Sequence, residues 1–508
     1  MNTKIIFKTL ALAMLMPAML LTTACGNQDD IANTSNITNK GYALPVTVNV
    51  TRGDGATRAT FDGSKLNFSD GDKLFVEGKY ATGSKSFAGA LEYVSEGTFS
   101  GTIYAQDNTY STYDALLTAA SSVKATLLPN GYGSTGFLSI DNNNTTDIAY
   151  DDVISATPAK AFVASGTAKA NGVEQLSLEQ ATTYSSGFAL APQCAILNFT
   201  ISGLAAGAKN VTLGIHHSSD YTVTGSVTPN GSGVATFAIG VAVGANIKNM
   251  ENNLTVGSKF TLSSTTTFTA GKIYNITRVA NAINGKFSVS GTKKVYFSKS
   301  NLRYASSKWS FFDHQYDCYS SYNANTWDMF GWSTSKSSYG KTTSTTAATY
   351  QGSFVNWGNV IGSGWSTLSR AEWTYLFKTR GSAAKKYGYA TVNGVNGIII
   401  LPDAFVDPNK NNGSNAFAGS TTTKGWNANV YTSANWALME ANGAVFLPAA
   451  GSRYGTTVGG GIGYYWSSTS KDTNNAYDVC FASEDLYFDS EFSVRSKGMS
   501  VRLVRVAN

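Results

Sequence analysis

The chain has 508 residues but only four cysteines, nine prolines and three histidines. So little cysteine excludes a disulfide framework as the source of stability. Only 14 % of residues are charged, the net charge is +6, and the basic residues are scattered. No basic run is long enough to track a phosphate backbone, so nucleic acid is not an expected partner. The signatures G-x-S-x-G, H-E-x-x-H and the P-loop are all missing, and with them any expectation of an enzyme or a cofactor. No metal site is expected either. His216 and His217 are neighbours in a strand and point to opposite faces, and His314 in "FFDHQYD" reads as a solvated turn. The oxygen-rich "DNNNTTDIAYDD", starting at Asp141, lacks the sixth-position Gly and twelfth-position Glu of an EF-hand loop. Tryptophan is absent from the first 300 residues: all nine lie between Trp309 and Trp466.

Long apolar runs are missing except at the start. Lys4 and Lys8 precede an apolar stretch from Leu10 to Leu21, followed by "TTAC". At 1.5 Å per residue that stretch covers about 20 Å, short of a hydrocarbon layer of about 30 Å. Residues 1–24 therefore read as a signal peptide. Cys25 follows the small Ala24, as a lipid-accepting cysteine does, although the Leu usual three residues earlier is Thr22. Cleavage with Cys25 left unmodified is the alternative. Two or more acyl chains make a stable anchor, and Asp29 and Asp30 fit delivery to the outer face of the outer membrane. With Cys25 lipidated, Cys194, Cys318 and Cys480 remain, an odd number. A Cys318–Cys480 bridge stays open, with plain burial of each as the other reading.

What is abundant is Gly, Ser, Thr and Asn among alternating Val, Thr and Tyr, the pattern of a mostly β protein with polar turns. At this length two or three domains are expected. Residues 25–44 read as a polar tether. In "LPVTVNV", Val46, Val48 and Val50 point one way and Thr47 and Asn49 the other, as in a half-buried strand. Further strands follow in "GDKLFV", "FSGTI", "CAILNFTISGL" and "GKIYNI", with a hairpin expected at Asn230–Gly231. Residues 45–280 form one β region, read as β-sandwich and divisible into two subdomains. After a linker at 281–285, residues 286–508 change character. In "LSRAEWTYLF" Ser369 and Glu372 make a capping box, with Leu368 and Trp373 as its staple. A second helix, "SANWALMEANG", stops at Gly443. Trp373, Trp436 and Trp466 read as core. Trp332, Trp357, Trp365 and Trp426 stand in Gly/Asn/Ser-rich stretches, where an indole on an open loop could stack on a sugar ring.

Two resemblances rest on these motifs. The signal peptide, "VTVNVTR…ATRAT", "GDKLFV", "FSGTI", "QCAILNFTISGL" and "GKIYNI", in that order, resemble a fimbrillin-type pilin of Bacteroidetes over residues 26–280. "DMFGWSTS", "WSTLSRAEWTYLF", "LPDAF", "FLPAAGSRY", "GYYWSSTS" and "KGMSVRLVR" resemble the C-type-lectin-like domain of the Fibrobacter succinogenes major paralogous type, a relative of the sulfatase-modifying fold. The Glu-Pro-Asn and Trp-Asn-Asp calcium motifs of true lectins are absent. The first resemblance implies cutting by an arginine-directed protease, here after Arg52 or Arg58, and assembly with other fimbrial subunits by strand addition. Residues 52–54 also spell Arg-Gly-Asp, and protease access is the better reading of that stretch. Together the resemblances imply a tip or minor subunit whose lectin-like head touches a glycan or a host protein, with contact to the membrane through the lipid alone. A surface lipoprotein that never polymerises and a glycan-acting enzyme remain as alternatives.

Overall fold

Alternation shapes the first part of the molecule. In the computed structural model, which describes residues 40–507 apart from 53–59, 62–63, 66–67, 96, 143–146, 165–175, 177, 363 and 412–415, the chain is mostly β. Strands β1 (Tyr42–Arg52), β2 (Lys73–Tyr80), β3 (Lys85–Ser95), β4 (Thr98–Ala105), β5 (Ser122–Leu128), β6 (Glu179–Ala181) and β7 (Phe188–Pro192) form one curled sheet. Its order is β1-β7-β6-β5-β2-β3-β4, and it closes on itself as a barrel. The two faces that would form a sandwich thus become opposite walls of one ring. Leu74 and Val76 of β2, Phe99 and Ile103 of β4, and Phe188 and Leu190 of β7 fill its interior. Helix α1 (Tyr113–Thr118), capped by the Thr112 side chain, adds Leu116 and Leu117.

A sandwich follows. One sheet runs from the short strand Phe162–Val163 through β11 (Ala235–Ala242) and β8 (Cys194–Ser202) to β13 (Ile273–Val279). The other contains β10 (Asp220–Val227), β9 (Lys209–His216) and β12 (Leu254–Val256). Between them Phe199 and Phe237 stack at 4.6 Å, surrounded by Leu197, Leu213, Ile215, Val223 and Leu254. The opposite face of β8 is also covered, because Cys194 and Ile196 pack on Phe75, Ala88 and Leu128 from the outside of the barrel. That explains the unbroken apolar run "CAIL". The expected hairpin at Asn230–Gly231 does not form. The turn exists, with Asn230 accepting from the amides of Ser232 and Val234 at 3.0 Å. It carries the chain from one sheet to the other: β10 pairs with β9, and β11 with β8. Turn chemistry is local, whereas the pairing is decided by which sheet buries each strand.

Residues 281–285 are packed. The Ile283 amide donates to Phe297 O at 2.8 Å, and its side chain is buried among residues of the last part of the chain. That part is built from several small sheets. Strand β23 (Leu503–Val506) lies between β14 (Lys294–Phe297) and β17 (Trp365–Thr367). Strands β15 (Leu302–Ala305) and β16 (Lys308–Phe311) form a hairpin, and β18 (Tyr387–Val392), β19 (Val395–Ile400) and β20 (Val445–Pro448) lie side by side as antiparallel neighbours in one sheet. The pair β21 (Gly463–Ser470) and β22 (Asn475–Phe481) stands beside them. Helix α2 (Arg370–Thr374) starts on the expected capping box, both of whose bonds are present. Helix α3 (Ser433–Ala441) ends before Gly443, whose φ of 91° suits glycine. Cys194, Cys318 and Cys480 are all free thiols, so the Cys318–Cys480 bridge is not formed.

So many short strands leave loop carbonyls without ladder partners. Buried arginines take them up. Arg495, 3 % exposed, donates to Tyr350 O and Gly352 O at 3.2 Å and to Asn475 O at 3.2 Å. Arg453 donates to Thr342 O at 3.0 Å and Met329 O at 3.3 Å. A guanidinium offers five donors in a fixed fork, so one side chain ties several loops. Arg495→Met, which keeps the stem and removes the donors, should lower stability by about 3 kcal/mol. Because every tryptophan lies in this part, denaturant unfolding followed by tryptophan fluorescence reads the effect directly.

Candidate functional site

Strand β1 has two unlike edges within the barrel. The alternation read from the sequence holds, with Val46, Val48 and Val50 inside the barrel and Thr47 and Asn49 facing outward, and it extends one step back to a buried Leu44 and an outward Pro45; the four inward residues are 2–3 % exposed. Along one edge it pairs antiparallel with β4 over eight positions, Tyr42↔Ala105 to Asn49↔Thr98. Along the other it pairs with β7, in parallel, over only three: Val50↔Phe188, Thr51↔Ala189 and Arg52↔Leu190. From Tyr42 to Asn49 no strand among the described residues covers that second edge. One side chain does reach it, since the Tyr113 hydroxyl of α1 donates to Thr47 O at 2.8 Å. The ring is thin nearby as well, because β6 makes only two pairs with each of β7 and β5.

The energetics follow. Burying four aliphatic side chains contributes on the order of 6–12 kcal/mol before chain entropy is counted, so an intact β1 stays in place. If β1 were removed, β4 would present an edge eight residues long, with the N–H and C=O of every second residue unpaired, above an apolar trough. Such an edge pairs readily with an incoming strand. The arrangement selects for an extended segment with small or branched apolar residues at every second position.

Of the residues singled out from sequence, Cys25 and Arg58 lie outside the described residues. Arg52 is the last residue of β1, in register with Leu190. The indoles divide differently from the sequence expectation. Trp332, Trp357 and Trp365 are 1 %, 0 % and 6 % exposed, so they are core and not open-loop residues. Trp332 donates to Ser467 O at 2.9 Å and Trp357 to Tyr339 O at 2.7 Å. Their Gly/Asn/Ser-rich neighbourhoods are loops that fold over the indoles. Seven of the nine tryptophans are buried, and Trp309 and Trp426 are half-buried. Trp426 packs edge-on to Tyr389 at 6.1 Å and Phe481 at 6.5 Å, and its loop is joined to the exposed Glu484–Asp485 turn by the bond from Gly425 N to Ser483 O, 2.8 Å. Tyr454, Tyr487 and Phe492, passed over in the sequence, are 56 %, 47 % and 40 % exposed; no pattern around them marks them as surface aromatics. Burial pushes the Asp328 and Asp478 carboxyls up to about 7. Among the described residues no three His, Cys, Asp or Glu side chains meet in a way that could hold a metal ion.

Comparison with known proteins adds distant neighbours only. No family model matches the chain, and no curated protein does. A candidate cell adhesion protein from Bacteroides fragilis is 12 % identical with a TM-score of 0.22, over 49 % of this chain and 96 % of that one. Another from Bacteroides uniformis is 13 % identical with a TM-score of 0.17, over 46 % and 93 %. A fimbrial protein from Bacteroides ovatus is 10 % identical with a TM-score of 0.20, over 92 % and 100 %. At these scores no property of those proteins transfers to this chain.

The inward and outward positions of β1 should respond differently. Val48→Ala should lower barrel stability by about 2 kcal/mol. Asn49→Ala, on the solvent side of the same strand, should cost less than about 0.5 kcal/mol. Thermal unfolding of the two variants checks the contrast.

Proposed function

We propose that this protein is an exported, lipid-anchored surface adhesin of fimbrial type, and not an enzyme. Cys25 carries the lipid that holds the chain at the outer face of the outer membrane. A protease cuts behind β1, the strand leaves, and a strand from another fimbrial subunit takes its place. The observation that carries this reading is the unequal ladder of β1, eight pairs on one edge and three on the other. Arg52 itself belongs to that ladder, so a cut there must first break the pairs with β7; this favours Arg58.

The pairing of strand β23 bears on the place in the fibre. Strand β23 is paired on both edges, and Leu503 and Val504 are fully buried. A subunit that accepts a strand but keeps β23 locked in a core does not lend β23 to a neighbour, which supports a place at the end of a fibre. The reading is therefore a tip or minor subunit that presents a lectin-like head. The half-buried Trp426 and the exposed Tyr487 are the aromatics offered to a glycan or a host protein.

Two experiments test this. Purified full-length protein is treated briefly with an arginine-specific protease in the presence of a labelled peptide spanning residues 42–52. The expected result is a new N-terminus at residue 53 or 59 and stoichiometric retention of the peptide. A trimmed chain that stays folded and excludes the peptide sinks the strand-exchange reading. On a glycan and host-protein array, Trp426→Ala should weaken binding by about tenfold or more. Binding unchanged in both Trp426→Ala and Tyr487→Ala moves the contact surface elsewhere.

A further inference from the structure

The face between the sandwich and the C-terminal module is held by polar groups. From the sandwich side, Glu251 receives two groups of the module: the His314 ring nitrogen Nδ1, in a very short contact, and the Tyr316 hydroxyl at 3.0 Å. The two rings stack at 5.1 Å. From the module side, Glu440 of α3 accepts from Thr261 Oγ1 at 3.0 Å and from Gln315 Nε2 at 3.1 Å. Asp313 pairs with Lys259 across the face at 3.2 Å and with Lys299 on its own side at 3.7 Å. The Asn281 carbonyl receives the Lys299 amide at 2.8 Å. A cavity of only about 20 Å³ remains between the two parts, with Arg278 on its wall.

We propose that this seam is a pH-dependent latch: it holds the C-terminal module against the sandwich in mildly acidic solution and loosens in alkaline solution. Two carboxylates, Glu251 and Glu440, come together from opposite sides of the seam, with His314 against the first. The other charged groups facing them are Lys259 and Arg278 from the sandwich, and Lys299, Asp313, Asp317 and Arg502 from the module. Arg502 reaches Glu440 only through Gln315, whose Oε1 accepts from Arg502 Nη2 at 2.6 Å.

Both titrating groups act in one direction. The Glu251 carboxylate, against the opposing effect of burial, lifts His314 above its ordinary value of 6.5. Its contribution is complete below that ordinary value and is lost as pH rises through the raised one. Burial, reinforced by the charge of Glu251, pushes the Glu440 carboxyl from 4.5 up to about 7. The docked form therefore favours protonated Glu440, and a cost builds as pH rises from the ordinary carboxylate value toward 7. Burial works against an ionised Asp313, yet Lys259 and Lys299 hold it below the usual carboxylate range, so its pairs do not follow the same window. The seam thus binds protons on closing and weakens as pH rises from the ordinary carboxylate value through about 7, where Glu440 ionises, and on through the raised value of His314.

The test is hydrogen exchange on the full-length chain, corrected for intrinsic rates, at pH 5.5 and 8.5. Peptides covering 250–262 and 313–317 should be protected at least about tenfold more at the lower pH, while barrel peptides covering 74–80 change little. Glu440→Gln, which is isosteric and uncharged, should raise protection at pH 8.5 and flatten the difference. His314→Gln should lower protection at pH 5.5. Equal protection of the seam peptides at both pH values, in the parent and in Glu440→Gln, overturns the proposal.

Discussion

The barrel exists as a ring only because β1 joins β4 to β7, and those two joints are unequal. Eight antiparallel pairs fix the strand on one side and three parallel pairs on the other. The strand is held chiefly by its apolar side chains and by one neighbour, while the far edge is fastened by its last three residues and by the Tyr113 hydroxyl. That combination gives strong retention in an intact chain and a ready vacancy if the strand is cut free. A symmetric barrel, with long ladders on both edges, would collapse or refuse a replacement strand equally on either side. In the proposed exchange the long ladder would supply the template and the short one the opening.

The two internal boundaries of the molecule are made of different material. Barrel and sandwich share an apolar layer, with Phe75 and Ala88 on one side and Cys194 and Ile196 on the other. Such a layer is insensitive to pH and would keep the two parts together through a change in β1. Sandwich and C-terminal module meet through carboxylates, a histidine, lysines and hydroxyls. Buried polar contacts of this kind add less net stability than apolar packing, because each group gives up water to make them. They do fix a single orientation, and they respond to protons. The first boundary is therefore structural, and the second is the one at which orientation can change.

Much of this was legible in the sequence where the signal is local. The alternation of Val46 to Val50, the capping box of Ser369 and Glu372, and the stop at Gly443 all depend on residues a few positions apart. The errors fall where a distant partner decides. Asn230–Gly231 makes its turn, yet the strands it joins belong to opposite sheets. His314 looked solvated because its partner Glu251 is 63 residues earlier. Trp332, Trp357 and Trp365 sit in polar, glycine-rich stretches that suggest surface, but the carbonyls of such stretches are taken up by Arg453 and Arg495, so the loops fold inward over the indoles. Closure of the barrel was equally hidden, since it depends on three pairs between residues more than a hundred positions apart.

The concentration of tryptophan in one half of the chain then has a physical reading. A module assembled from strands of two to eight residues cannot fill its interior with regular ladders of aliphatic side chains. Large side chains fill that volume, and an indole among them can also return a donor to a loop carbonyl, although the ring N–H groups of Trp373 and Trp436 do not. Trp332, Trp357 and Trp466 each do this, the last to Phe330 O at 2.7 Å. The barrel and sandwich have long ladders whose backbone groups are already paired, and Val, Leu, Ile and Phe fill the space between them. The indoles thus report chiefly how irregular a fold is, and a surface role has to be argued for each from its exposure, which here leaves Trp426 and Trp309.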